Sequence, residues 1–376
     1  MESYDVCVRG GGIVGRCLAL SLARQGLQVV LVPGAAEAAA GTSASGDVRA
    51  YALNAVSVDL LRQLKVWDGL PAGAATAVHD MHIEGDAAGA GLDFSAWEAQ
   101  VGELAWIVDV AVLERQLADA ARFAPHLTVA AADAPPPQAM LTALCEGKAS
   151  ATRSALGVRM QTHRYGHRAI AARRVAGEPH LNRARQWFRS PDVLALLPMD
   201  GPEPGRSYAL VWSLPDERAA ALLELPDAEF EQALAEATGG ACGTLTLASA
   251  RAAWPLMIAE AEAWCGPGWV LLGDAAHVVH PLAGQGLNLG LADVVTLARV
   301  VAEREPWRRL DDEKLLRRYV RERAAPTWAM GRVTDGLLNL FSSPQPAAQE
   351  LRNRGMTLVN HVAPLKRWLV GRALRS

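Results

Sequence analysis

The sequence predicts an α/β protein. It opens on a dinucleotide-type βαβ unit, carries a β-rich insert, returns to the first domain and ends in helices. Three observations predict this. The glycine cluster CVRGGGIVG, at 7–15, lies between a short apolar run and a helical pattern. From about 158 to 212 the pattern turns strand-like. A second short apolar run at 268–272 ends in GDAAH and precedes a long helical stretch.

In chain order, residues 4–9 form a mostly apolar run ending in glycines, read as a buried strand entering a tight turn. Residues 13–25 carry helical spacing, with Val14, Cys17, Leu18, Leu20 and Leu22 near one face. Gly26 stops that helix, and 27–32 reads as the next strand. This βαβ context lifts a glycine motif above noise. Residues 34–48 are rich in Ala, Gly and Ser and read as a loop. Helices are expected at 55–64 and 110–121. APPPQ then breaks the chain within 128–139. Strands are expected at 169–175, 184–188, 193–198 and 208–213. Residues 215–238 read as helical, 243–254 as strand, 268–272 as strand and 285–303 as a long helix. The expected division is 1–157, first part of the dinucleotide domain; 158–255, inserted sheet domain; 256–345, its second part; and 346–376, a basic amphipathic tail.

Size and charge narrow the classes. The 376 residues suffice for one large or two ordinary domains with real cores. Net charge is −3, so nucleic acid is not expected as a partner. The five cysteines form no CxxC pair and no zinc spacing, which suits a reducing compartment. No signal peptide or apolar span of about 20 residues is expected. A cytoplasmic protein is predicted, with peripheral contact at the inner membrane face open. That option comes from 351–376, which holds six basic residues, no acidic one and interleaved apolar residues. A terminal helix packed on its own protein is the plain alternative.

Gly10, Gly12 and Gly15 fit GxGxxG. The first allows a tight turn, the second lets backbone approach a pyrophosphate, and the third lets helix and strand pack closely. The helix N-terminus then offers N–H groups and a positive dipole end to phosphates. The stretch WVLLGDAAHVVHPLAGQGLNLGLADVV, at 269–295, is far more specific. It closely resembles the GD box of class A FAD-dependent aromatic monooxygenases, and is most similar to their ubiquinone-biosynthesis branch. RAYAL at 49–53 resembles that family's Arg-Ala-x-Ala-Leu segment. QWF, LALLPM, YALVWSLP and AWPL resemble its middle sheet, and 317–342 and 351–374 its C-terminal helices.

The resemblance implies a Rossmann-like FAD-binding domain of the para-hydroxybenzoate hydroxylase type with an inserted β-sheet substrate domain. It implies FAD as cofactor and NAD(P)H as electron donor. It also implies hydroxylation of a prenylated phenol or quinone precursor through a flavin C4a-hydroperoxide. The cofactor-binding residues it implies are Gly10, Gly12, Gly15, Arg49, Gly273, Asp274, Pro281, Gly284, Gly286, Leu287 and Asn288. Pro281, Gly284 and Gln285 would shape the loop at the flavin, with no acid–base residue assigned. Asp274, just past a buried strand, is suited to ribityl hydroxyls. Gly284 and Gly286 leave room for a flat ring, and the following helix favours charge on reduced flavin. His277 and His280 are three apart but lack a third ligand, so no metal is expected. Other ubiquinone-pathway proteins are open as partners. The arginine-rich stretch 159–189 reads as a solvated face, or as a docking surface for such a partner.

The chain departs from the family at several points. Pro33, preceded by Val32, stands where an acid normally takes the adenosine ribose. That removes a charge-assisted hydrogen bond worth about 1.5–3 kcal/mol, or about tenfold to a hundredfold in affinity. Val110 replaces an amide side chain near the phosphates. The middle Asp-Gly box reads EGKAS, with Glu146, Gly147, Ser150 and Arg153. Arg9 ends a strand that is usually apolar there. These changes cluster on the adenosine half. They leave two alternatives to a working hydroxylase: a non-catalytic partner in a ubiquinone-pathway complex, and a flavin reductase that does not hydroxylate.

Overall fold

The structure is a computed structural model that describes residues 4–34, 47–85, 91–131, 137–279 and 285–342. The 35–46 loop, His280, Pro281, Gly284 and the 346–376 tail lie outside the described residues.

The chain begins with β1 (Tyr4–Arg9), α1 (Ile13–Ala23) and β2 (Val29–Val32). Every residue of β2 is buried. Gly26, at φ +85°, turns the chain between α1 and β2. β1 lies between β2 and β9 (Ala139–Leu144), parallel to both. β17 (Trp269–Leu271) extends the sheet beside β9, also parallel. The six-stranded order β16-β17-β9-β1-β2-β8 includes β8 (Leu127–Val129) and β16 (Cys265–Gly266). Parallel strands buried on both faces explain why these segments read as continuous apolar runs. α1 and α6 (Gln285–Ala302) share one core with this sheet through Leu18, Leu22, Leu291 and Leu297.

A nine-stranded sheet lies beside it, ordered β18-β15-β10-β13-β12-β11-β5-β6, with β14 (Leu245–Leu247) paired to β10. Its members include β10 (Met160–Ala176), β11 (Arg183–Arg189), β12 (Asp192–Met199), β13 (Ser207–Pro215), β15 (Ala252–Ala261) and β18 (His277–Val278). One face packs on α4 (Asp216–Glu224) and α5 (Asp227–Thr238) through Leu210, Trp212, Leu222, Phe230 and Leu234. The other face meets a three-stranded sheet of β3 (Ala50–Leu53), β7 (Ala105–Asp109) and β4 (Ala75–Val78). There Ala184, Met199 and Ala209 pack with Val78 and Ile107.

The large sheet also takes β5 (Asp80–Glu84) and β6 (Gly91–Ser95). Periodicity names no strand between 66 and 109, because these strands are four or five residues long and mostly half-buried. β10 is longer than 169–175 because its polar first half is a solvated arm paired with β15 across a bulge at 164–168. α2 (Ala55–Gln63), α3 (Val110–Phe123) and α7 (Glu313–Ser342) complete the helices that position the site. Among the described residues, no helix is long and apolar enough to cross a membrane.

Candidate functional site

The glycine turn joins β1 to α1. Gly10 has φ +108°, and a Cβ there would come within 2.3 Å of the Cys145 carbonyl oxygen. A Cβ on Gly15 would come within 1.9 Å of the Gly10 oxygen. Both glycines therefore let strand, turn and helix close on one another. Gly12 is the N-cap of α1, with no side-chain cap and no acidic residue in the first turn. That leaves uncapped N–H groups and an uncompensated positive dipole end.

β17 runs into a 3₁₀ turn, Gly273–Ala275, which carries Asp274. Asp274 is exposed by surface area. Its carboxyl is nevertheless crowded by neighbouring atoms. That desolvation raises its pKa above the ordinary value, while His277, Lys148 and Arg49 pull it back.

α6 starts at Gln285 and has no acid in its first turn. Its first N–H groups lack partners within the helix. A Cβ on Gly286 would meet only Val279, at 3.9 Å, so the space beside it is open. Leu287 is buried in the core. Asn288 is buried and its amide is engaged: Oδ1 accepts from Asn54 N (3.0 Å) and Ser57 Oγ (2.7 Å). Its Nδ2 donates to Ala52 O at 2.8 Å. The side chain thus fastens α6 to β3 and α2, and its backbone N–H belongs to the α6 N-terminus. The described part of Gln285 is its helical backbone.

Arg49 precedes β3. Its Nε donates to both Asp47 oxygens, at 2.9 and 3.0 Å, and its Nη2 to Oδ2 at 2.5 Å. These bonds hold the guanidinium in its charged form. Asp109 caps α3 by accepting from Val112 N, which leaves Val110 as a buried apolar first residue.

Two departures from the family pattern meet here. Arg9 Nε donates to Glu146 Oε1 at 2.9 Å. Glu146 also accepts from Ser150 Oγ (2.6 Å), Thr152 Oγ1 (2.8 Å) and Thr152 N (3.2 Å). Burial pushes Glu146 up, and the bonds from Ser150, Arg9 and Thr152 outweigh it, so its pKa lies below normal. Arg153, in the same box, donates to Ala275 O and Lys148 O, both at 3.0 Å, and so supports the Asp274 turn from behind.

His277 is not an isolated candidate ligand. Its Nε2 lies 2.7 Å from Asp293 Oδ2, and its ring lies 4.9 Å from that of Trp264. Among the described residues, no cluster of three His, Cys, Asp or Glu could hold a metal. Sequence reasoning missed Asp293, although it sits in the quoted 269–295 stretch. It also missed Ser213, whose Oγ is buried and has no partner among the described residues. Register puts Ser213 on the same sheet face as Ala169, Val193 and Ala209, the face turned toward β3.

The residues present fit FAD. The uncapped N-terminus of α1, an α6 start with no acid in its first turn, an exposed Asp274 at the end of a parallel strand and open space at Gly286 suit its phosphates, ribityl chain and ring. The ribose acid is missing, because β2 ends at Val32 and Pro33 follows it.

Comparison with known proteins agrees with this fit. The chain is 29% identical to ubiquinone hydroxylase UbiL of Rhodospirillum rubrum, over 98% of this chain and 89% of the relative. It is 28% identical to 3-demethoxyubiquinol 3-hydroxylase of Escherichia coli, over 99% of each chain. Among solved structures, p-nitrophenol 4-monooxygenase PnpA of Pseudomonas putida superposes with a TM-score of 0.76 at 18% identity. That match covers 100% of this chain and 99% of PnpA, and is a likeness of fold. Residues 3–134 and 138–334 match the FAD binding domain family, and the chain belongs to that family.

Proposed function

We propose that this protein is an FAD-dependent monooxygenase that hydroxylates the aromatic ring of a prenylated phenol or quinone precursor in ubiquinone biosynthesis, with NAD(P)H as reductant. The observation that carries the reading is Asp274, exposed on a turn that packs against α6, whose first turn holds no acid. The names of the two hydroxylase relatives support the substrate class. When bound, reduced FAD activates dioxygen for transfer to an electron-rich ring.

The chain's own residues bind, orient and shield. N–H groups at Gly12 and the start of α1 hold the pyrophosphate. Asp274 accepts from ribityl hydroxyls, and N–H groups of Gly286, Leu287 and Asn288 face the flavin. Pro281, Gly284 and Gln285 shape the loop at the ring, and Arg49 contacts the cofactor from β3's edge. The sheet face of Ala169, Val193 and Ser213 forms the wall for the aromatic substrate, with the Ser213 hydroxyl as its polar group. Covering this space keeps water from the reacting atoms. The basic tail at 351–376 is the peripheral contact that meets a bilayer-held substrate.

The test is direct. Purified protein is yellow or turns yellow with FAD, and a prenylated phenol raises its NAD(P)H-dependent oxygen consumption with a hydroxylated product. No binding at about 100 µM FAD, weaker than roughly −5.5 kcal/mol, sinks the enzyme reading. Flavin reduction without hydroxylated product makes the protein a reductase instead.

A further inference from the structure

Asp293 is fully buried on α6, one turn and a half beyond the site residues. A lone buried carboxylate is costly, so its partners define its purpose. Oδ2 accepts from Gly273 N at 2.9 Å and faces His277 Nε2 at 2.7 Å. Oδ1 accepts from Arg323 Nε, on α7, at 2.7 Å. Arg323 also donates to Leu289 O at 3.2 Å. Burial alone would raise Asp293, but His277 and Arg323 outweigh it and hold it ionised, below the usual carboxylate range. An ionised carboxylate only accepts, so His277 donates through Nε2.

The placement of these bonds matters more than their number. Gly273 and His277 bracket Asp274 in sequence, so one carboxylate holds both ends of the arc that carries it. Asp274 itself is exposed. Tyr319, also on α7, donates to Leu271 O at 2.9 Å, just before the same arc. The arc is thus fixed from α6 and α7 together, with Asp274 exposed between buried Gly273 and Ala275.

We propose that Asp293, with His277 and Arg323, is a positioning residue that holds the Asp274 turn in its FAD-gripping geometry. The inference rests on the FAD-site reading above. The test is a double-mutant cycle on FAD affinity, read by flavin fluorescence with the full chain. Asp293→Asn weakens FAD about tenfold or more in the wild-type background, and less than about twofold in an Asp274→Asn background. A purely structural role lowers the melting temperature but gives equal losses in both backgrounds, and that result overturns the proposal. Asp274→Asn with wild-type affinity overturns the FAD-site reading as well. If Asp293→Asn does not fold, His277→Phe keeps a ring against Trp264 but removes the donor. It weakens FAD only while Asp274 is present, His277→Gln restores part of the loss, and unchanged affinity in His277→Phe overturns the clamp.

Discussion

Arg9 and Glu146 each break the family pattern, and each accounts for the other. A guanidinium at the end of an otherwise apolar strand needs a partner, and Glu146 supplies one at 2.9 Å. The pair stands at the adjacent ends of β1 and β9, with Ser150 and Thr152 completing the carboxylate's bonds. Glu146→Gln leaves Arg9 without its counter-charge and is expected to cost about 1–3 kcal/mol at neutral pH, measured by urea unfolding. Because the folded pKa of Glu146 is depressed, its contribution is fully present above the unfolded value, about 4.3, and is lost as pH falls through the folded one. Wild type and variant should therefore converge in stability on acidification. A gap that stays constant down to the acid limit would mean that the ionised pair contributes nothing. Neither residue's role was legible locally, since 137 positions separate them.

At the scale of elements, α6 links the parts of the site. Its length and start follow from apolar periodicity and the glycines before it, and the observed helix, Gln285–Ala302, lies within one residue of the expected 285–303. Its attachments do not follow from periodicity. Asn288 reads as a cofactor contact in the sequence, whereas its side chain bonds Asn54, Ser57 and Ala52 across more than 230 residues. Asn288→Ala leaves those buried groups without this partner and is expected to cost about 2–4 kcal/mol. Thermal unfolding of the apo-protein measures this; a loss under about 0.5 kcal/mol would show that water replaces the amide freely. Strands β4 to β7 escaped the sequence reading for a related reason. Short, half-buried strands are specified by the surfaces they join rather than by their own pattern.

Across the whole molecule, the flavin and adenosine halves of the site differ. In the proposed site, the flavin half comprises Asp274, the start of α6 and the sheet face around Ser213. Its adenosine half comprises the α1 N-terminus and the end of β2, where Val32 is followed by Pro33. Pro33→Glu should tighten FAD by about tenfold, read as Kd by flavin fluorescence. No change would mean that the ribose is held elsewhere or not at all. The sequence by itself determined the βαβ opening, the strand-rich middle, the long helix after GDAAH and the resemblance to an FAD-binding family. These are written in local periodicity, turn chemistry and short-range spacing, which neighbouring residues suffice to specify. The tertiary structure alone decided that Arg9 meets Glu146, that Asn288 fastens α6 to β3, that Asp293 bonds both ends of the Asp274 turn and that Ser213 lies on the sheet face turned toward β3. Each depends on groups brought together from distant segments, where burial leaves a polar atom no partner except the one the packing supplies.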